Sequence, residues 1–268
     1  MERSEPADEM GFEIIRVHDA AGRLERACTM DRMTVVTTFS YKNWKSYASR
    51  TVPTWLKHFD PDVDFHFHCD WQPIGDPRIT YVRDSAQKVE FIERNSRLNR
   101  PFPRPAKGYV TRWETYCHKA FAQCESAFVT QSRFLLFLDA DVAVLKRVPG
   151  GHLESLLNQK FCGYLPRNHI SPETGFILYD LSKDPGRSFF TEFIDSYRTD
   201  RLFEFADGWD DAHVFNRCRL SSQLAFENLS GTYADFLDPI GVGPLGEYFD
   251  HWIGKESKKL GTSKYRRA

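Results

Sequence analysis

The stretch that most limits what this chain can become is Phe134-Leu135-Leu136-Phe137-Leu138-Asp139-Ala140-Asp141, after which apolar residues resume through Val142-Ala143-Val144-Leu145. Five consecutive apolar residues, branched and aromatic, read as a strand buried on both faces, as in parallel sheets covered by helices. Two carboxylates at the end of such a strand are costly unless something compensates their charge. In open α/β sheets, ligands bind beyond the carboxyl ends of the strands. Paired hard oxygen ligands there suit Mg²⁺ or Mn²⁺ bridging to phosphates. The alternative is a capped strand end, with Asp139 or Asp141 capping a following turn.

The flanking sequence fits the same architecture. Thr34 to Phe39 reads as a first strand, followed by polar Ser40-Tyr41-Lys42-Asn43 and a helix from Trp44 to Phe59. Val63 to Cys69 and Ile79 to Val82 are further strands, an order that predicts a doubly wound parallel sheet. The proline-rich run from Asn99 to Lys107 is a loop before a helix over 111–126. In that helix Trp113, Tyr116, Cys117, Ala120, Phe121 and Cys124 form an apolar stripe, and Arg112 and Lys119 fall off it. Beyond the acid pair, the pattern predicts a helix over 151–159, strands over 161–165 and 174–179, and a helix carrying Phe189, Phe190, Phe193, Ile194 and Tyr197. Residues 1–32 are polar and charge-mixed, with Phe12 to Val17 the one short strand candidate, so they are expected to be an extension to a domain over 33–268.

At 268 residues and 41% hydrophobic, the chain can bury one substantial core. A formal net charge of −1 supplies no overall basic field for nucleic acid and no acidic excess suggesting disorder. Apolar runs fall far short of the about 20 residues of a membrane span, and the N-terminus lacks an apolar signal region. A soluble, cytoplasmic protein is therefore expected. Its six cysteines are scattered without metal-type spacing, so free thiols are expected. Asn228-Leu229-Ser230 matches a glycosylation acceptor, which means little without a secretory signal.

Four segments, in order and approximate spacing, resemble the metal-dependent sugar-nucleotide glycosyltransferases of the GT-A fold, in particular glycogenin and the galactosyltransferases related to it. Phe137 to Asp141 resembles their DxD motif, and Glu173 to Leu181 resembles the strand bordering the donor sugar. Gly208 to Asn216 resembles a helix start near that sugar, and His251-Trp252-Ile253-Gly254 resembles their HxxG. The resemblance covers about residues 33–260. It implies a mainly parallel central sheet flanked by helices, a nucleotide-diphosphate sugar donor, and Mn²⁺ or Mg²⁺ as cofactor.

The resemblance also implies roles residue by residue. Asp141 and His251 are expected metal ligands, with Asp139 a ligand or a ribose contact; the adjacent Asp250 competes with His251 for the inward position. Asp211 is the leading active-site carboxylate, although a helix N-cap is its ordinary alternative. Glu173 follows it by a departure from the family, which has a small polar residue nearby: an acid there is placed to serve as nucleophile or second sugar contact. Thr37, Thr38 and Phe39 end the first strand, where the base and ribose sit, and Tyr41 is placed to stack on the base. Donor contacts are further expected from Ala140, Gly254, Arg112 and Lys119, the two cations having a solvated helix face as their alternative. The family pattern places a lysine six residues after the histidine, whereas this chain has Ser257 there, so Lys255 or Lys258 is left to reach the diphosphate or to lie in a solvated basic tail.

Together these point to hexose transfer onto an unidentified acceptor, a protein, a glycan, a lipid head group or a modified nucleic-acid base. Retention of anomeric configuration goes with the histidine ligand. A nucleotidyltransferase could use paired carboxylates on a similar sheet, but Ser40 to Trp44 supplies no Gly-rich basic loop. A non-catalytic sugar-nucleotide binding protein is the third class.

Overall fold

The computed structural model describes residues 32–98 and 113–265 together with the backbone of Ile14–Ile15. Arg112, Cys28 and the 99–107 loop lie outside the described residues, as does nearly all of the N-terminal segment. Among the described residues the strands are β1 (Ile14–Ile15), β2 (Met33–Thr38), β3 (Asp64–His68), β4 (Ile79–Val82), β5 (Phe134–Leu138), β6 (Val142–Val144), β7 (Cys162–Leu165), β8 (Glu173–Asp180), β9 (Phe226–Asn228) and β10 (Phe249–His251). Eight of them form one sheet in the order β1-β4-β3-β2-β5-β8-β7-β9, while β6 and β10 pair separately.

β4, β3, β2 and β5 run parallel, and β7 and β9 share their direction. The sheet is mainly parallel, as expected, but not wholly so: β8 runs antiparallel between β5 and β7, and β1 pairs antiparallel with β4. Chain order reverses between β2 and β5, which makes their carboxyl ends the switch point at which ligands bind in open α/β sheets.

Alternate residues of the central strands feed two cores. Val35, Phe65, Phe67, Leu136, Leu138, Phe176 and Leu178 face one side, against Val52 and Trp55 of helix α2 (Ser49–His58). Val36, Leu135, Phe137, Ile177 and Tyr179 face the other. They pack there on α4 (Trp113–Val129), α6 (Ser188–Arg198) and α7 (Asp211–Ser221), numbered after α3 (Ala86–Asn95) and, between α4 and α6, α5 (His152–Ser155). The two-sided burial anticipated for the Phe134 run is therefore met.

Several local expectations shift. The helix expected from Trp44 begins earlier, because Ser40 accepts from the Asn43 amide and caps α1 (Tyr41–Asn43), which continues through a π turn (Trp44–Ala48) into α2. The helix expected over 151–159 shrinks to α5, since Asn158 and Gln159 take left-handed backbone angles that end it. α3, capped by Ser85, was not expected at all. The five described cysteines are free and buried. No helix among the described residues is long and apolar enough to cross a membrane.

Candidate active site

The acid pair sits in a turn between two differently paired strands. Opposite β5, β8 places Phe176 against Leu138, so the next step brings Asp139 to Gly175, whose carbonyl accepts the Asp139 amide at 2.9 Å. The turn closes when the Val142 amide donates to Asp139 O at 2.9 Å. Helix α2 then grips β6: Trp55 Nε1 donates to Val142 O at 2.6 Å and Val144 N to Thr54 Oγ1 at 2.9 Å. β6 in turn pairs with β10 in a register that sets His251 against Val142 and lets Trp252 N donate to Asp141 O at 3.0 Å. Segments more than 100 residues apart in the chain thus meet at the switch point.

His251 is the residue of its pair that turns inward. Its Nε2 lies 3.5 Å from Asp141 Oδ1, and its Nδ1 lies 3.3 Å from Asp238 Oδ1. Asp250 instead accepts from Trp252 Nε1 at 3.1 Å and from Ser263 N at 3.1 Å, a structural role. Burial alone would lower the His251 pKa, but Asp141 and Asp238 raise it well above the ordinary value. The same contacts, with Lys258, outweigh the burial of Asp141 and hold its carboxyl well below the usual range. Burial, with Asp141 nearby, pushes the Asp139 carboxyl up to about 6 against the pull of Lys119. The two side chains remain 23% and 12% exposed, so a ligand can reach them.

Lys119 is not on a solvated face. It projects from α4 into the site, where Nζ lies 3.0 Å from Asp139 Oδ2, 3.1 Å from Asp211 Oδ2 and 3.3 Å from Thr174 Oγ1. Nor is Asp211 the helix cap: Asp210 does that work, accepting from His213 N at 2.8 Å. The Asp211 carboxylate is freed to accept from Thr174 Oγ1 at 2.6 Å, and burial raises its pKa against Lys119.

Glu173 accepts from Gly175 N at 2.8 Å through Oε1 and pairs with Arg167 at 3.1 Å through Oε2. A Cβ added to Gly175 would lie 3.1 Å from Glu173 Oε1, 3.2 Å from His251 Cε1 and 3.4 Å from Asp139 Oδ2. A side chain there would be in tight contact with the first two of these groups, so glycine leaves them room to converge. Gly254 has its own backbone reason: at φ +79° it turns the chain after β10 into α9, which follows the short α8 (Pro239–Val242) and spans Gly254–Leu260. α9 returns Lys258, whose Nζ lies 2.7 Å from Asp141 Oδ2 and 4.4 Å from the Tyr47 ring, while Lys255 stays exposed. The lysine that reaches the site is therefore at 258, and in this structure it meets a carboxylate.

At the end of β2, Thr37 is fully buried and Thr38 Oγ1 donates to His68 O at 3.0 Å. Phe39 stacks on Trp44 at 5.6 Å and meets Trp71 edge-on, and Tyr41, 57% exposed, also meets Trp71 edge-on. Ala140 is buried in the turn, its carbonyl accepting from Thr51 Oγ1. Sequence reasoning missed Arg167, Tyr47 and Asp238. Asp238 stands before Pro239 and caps α8, so its sequence context is that of an ordinary cap. Its contact to a histidine 13 positions away has no local signature.

The donor set suits a divalent ion. Ligand atoms of Asp139, Glu173 and His251 all lie within 4.8 Å of one another. Carboxylate oxygens with one imidazole can hold a divalent cation, and Asp238 on Nδ1 is the outer contact that typically orients a metal-binding histidine. Asp139, Asp141, Glu173, Asp211 and Asp238 face Lys119, Arg167 and Lys258, an excess of one negative charge with His251 protonated, as its raised pKa has it, and of two once the ring is neutral, as a metal ligand must be. A divalent cation would balance it.

No family model and no curated protein sequence matches the chain. Among solved structures it is similar to mouse xyloside xylosyltransferase 1 in its apo form, at 10% identity and a TM-score of 0.47, over 74% of this chain and 85% of that one. It is also similar to the glycosyltransferase GlyE of Streptococcus pneumoniae TIGR4, at 12% identity and a TM-score of 0.46, over 76% of this chain but 46% of that one. A likeness this distant says nothing of the reaction, which has to come from the site.

Proposed function

We propose that the chain is a metal-dependent glycosyltransferase of the GT-A type that moves a hexose from a nucleotide-diphosphate sugar to an acceptor with retention of configuration. The observation that carries this reading is convergence. The four segments that resemble the family, far apart in sequence, contribute Asp139 and Asp141, Glu173, Asp211 and His251 to one crevice at the sheet's switch point. A purely structural set of carboxylates would have no reason to gather at the carboxyl ends of strands with an excess of negative charge.

Asp139, Asp141 and His251 would hold Mn²⁺ or Mg²⁺. When bound, such an ion stabilises the charge that grows on the departing diphosphate. The chain's own groups supply the rest. Lys258 brings a second cation to the same side of the crevice from a helix that Gly254 aims there. Asp211, fixed by Thr174 and Lys119, presents a carboxylate for sugar hydroxyls near the reacting carbon. Thr38, Phe39 and Tyr41 offer the base and ribose an edge that ends in an exposed aromatic ring. The acceptor, whether protein, glycan, lipid head group or modified base, would approach from the open side.

A thermal-shift screen of nucleotide sugars with and without Mn²⁺ tests the reading. Donor at a hundred times its Kd stabilises by about 2.7 kcal/mol, and the shift is expected to require Mn²⁺. Nucleoside diphosphate should then be released on incubation. Cleavage between the phosphates would instead mark a nucleotidyltransferase, and binding without release a non-catalytic protein. Proton NMR of the product's anomeric coupling tests retention.

A further inference from the structure

We infer that Glu173 is itself a ligand of the divalent ion, joining Asp139 and His251. The inference rests on the metal-dependent reading of the site. It changes the role of Glu173 from one toward the sugar to one toward the ion.

Three observations support it independently of the acid pair's spacing. Among the described residues, the group whose ligand atoms lie mutually within 4.8 Å is Asp139, Glu173 and His251, and Asp141 is not in it. The position of Gly175 explains how they meet: a single methyl there would press on Glu173 Oε1, the His251 ring and Asp139 Oδ2 together, at 3.1 to 3.4 Å. Finally, each Glu173 oxygen has one donor, the Gly175 amide on Oε1 and Arg167 on Oε2. A carboxylate oxygen has two lone-pair sites, so both contacts fix the group while leaving capacity for a cation, as outer contacts do around metal-binding carboxylates. In this arrangement Glu173 takes the place proposed above for Asp141 among the ligands: Asp141 Oδ2 is paired with Lys258 at 2.7 Å and the residue lies outside the convergent group. The bland alternative is that Glu173 only holds the 167–175 segment through Arg167.

The test titrates the full chain with Mn²⁺ alone, following loss of the free-ion electron paramagnetic resonance signal, so no turnover is needed. Glu173→Gln is expected to raise the Kd at least about tenfold, with Glu173→Asp in between, and Arg167→Gln to change it by less than about threefold. If Arg167→Gln weakens binding as much as Glu173→Gln, Glu173 acts through the ion pair and the inference fails. It also fails if Glu173→Gln binds within twofold of the unmodified chain while Asp139→Asn does not bind; the metal-dependent reading then stands. If the unmodified chain takes up no Mn²⁺ at millimolar concentration, both fall. Where Glu173→Gln does not fold, Glu173→Asp carries the test: a raised Kd with Arg167→Gln within about threefold of the unmodified chain supports the inference, and an unchanged Kd refutes it.

Discussion

At the scale of single residues, the neighbouring acids Asp210 and Asp211 separate stability from activity. Asp210 caps α7, so Asp210→Ala should cost about 1–2 kcal/mol in chemical denaturation and leave the Asp211 contacts in place. Asp211→Asn keeps an acceptor for Thr174 but loses the charge facing Lys119, and it should lower kcat by about 100-fold or more with little change in melting temperature. Asp139→Asn is expected to behave like Asp211→Asn: removing a carboxylate whose pKa burial raises relieves a folded-state cost, while metal-dependent turnover collapses. Reversal of these outcomes, with Asp210 controlling rate and Asp211 stability, would reject the division of labour. The sequence made both acids visible but not which was which. A cap and a site carboxylate differ only in where their oxygens point, and Asp210 and Asp211 are adjacent. Lys119 was left between a donor-site cation and a solvated face for a related reason. It lies off the apolar stripe of α4, yet α3, α6 and α7 together with the sheet bury most of that helix, and three polar partners await the ammonium.

At the scale of elements, what was legible was hydrophobic continuity, and what was not was direction and pairing. The apolar runs of β5 and β8 announce buried strands, but such a run reads the same in either direction, so the antiparallel insertion of β8 had no sequence signal. β6 and β10 are three residues each, too short for periodicity, and their pairing carries His251 into the site. The π turn ahead of α2 was equally silent. Phe249 tests how far the site depends on that small ribbon. Its ring is fully buried against Phe59 and Phe176, at 6.4 and 5.3 Å between centroids. Phe249→Ala should destabilise by about 3–5 kcal/mol. Because β10 carries His251 two positions on, it should also weaken Mn²⁺ binding at temperatures where the variant is still folded. Loss of stability with unchanged Mn²⁺ affinity would mean that His251 is held by Asp238 and the turn alone.

At the scale of the whole molecule, a second set of buried titratable groups predicts how the fold responds to acid. His68 and His118 lie where β3 meets α4, with Lys88 and Asp84 from the start of α3 close by. His68 Nε2 is 2.9 Å from Ser126 Oγ and its Nδ1 3.4 Å from Glu125, with His66 sharing the same serine at 3.1 Å. Burial lowers the pKa of His68 despite Glu125, and burial with Lys88 lowers that of His118 to about 4 despite Asp84. In the unfolded chain both rings titrate near 6.5. Between roughly pH 6.5 and 4 these two rings therefore bind more protons in the unfolded state, so their contribution to stability is complete above that window and is lost as pH falls through it. Asp139, raised to about 6, acts with the opposite sign in the same range. For His118 the contribution is on the order of 2 kcal/mol after allowing for partial exposure. Urea unfolding at pH 7 and pH 4.5 isolates the histidine part by comparison: His118→Gln should lose less stability on acidification than the unmodified chain, while barely changing stability at pH 7. A slope unaltered by His118→Gln would assign the acid sensitivity to the carboxylates instead. The measurement belongs in metal-free buffer, since a bound ion adds its own proton linkage through His251 and would mask the window set by His68 and His118.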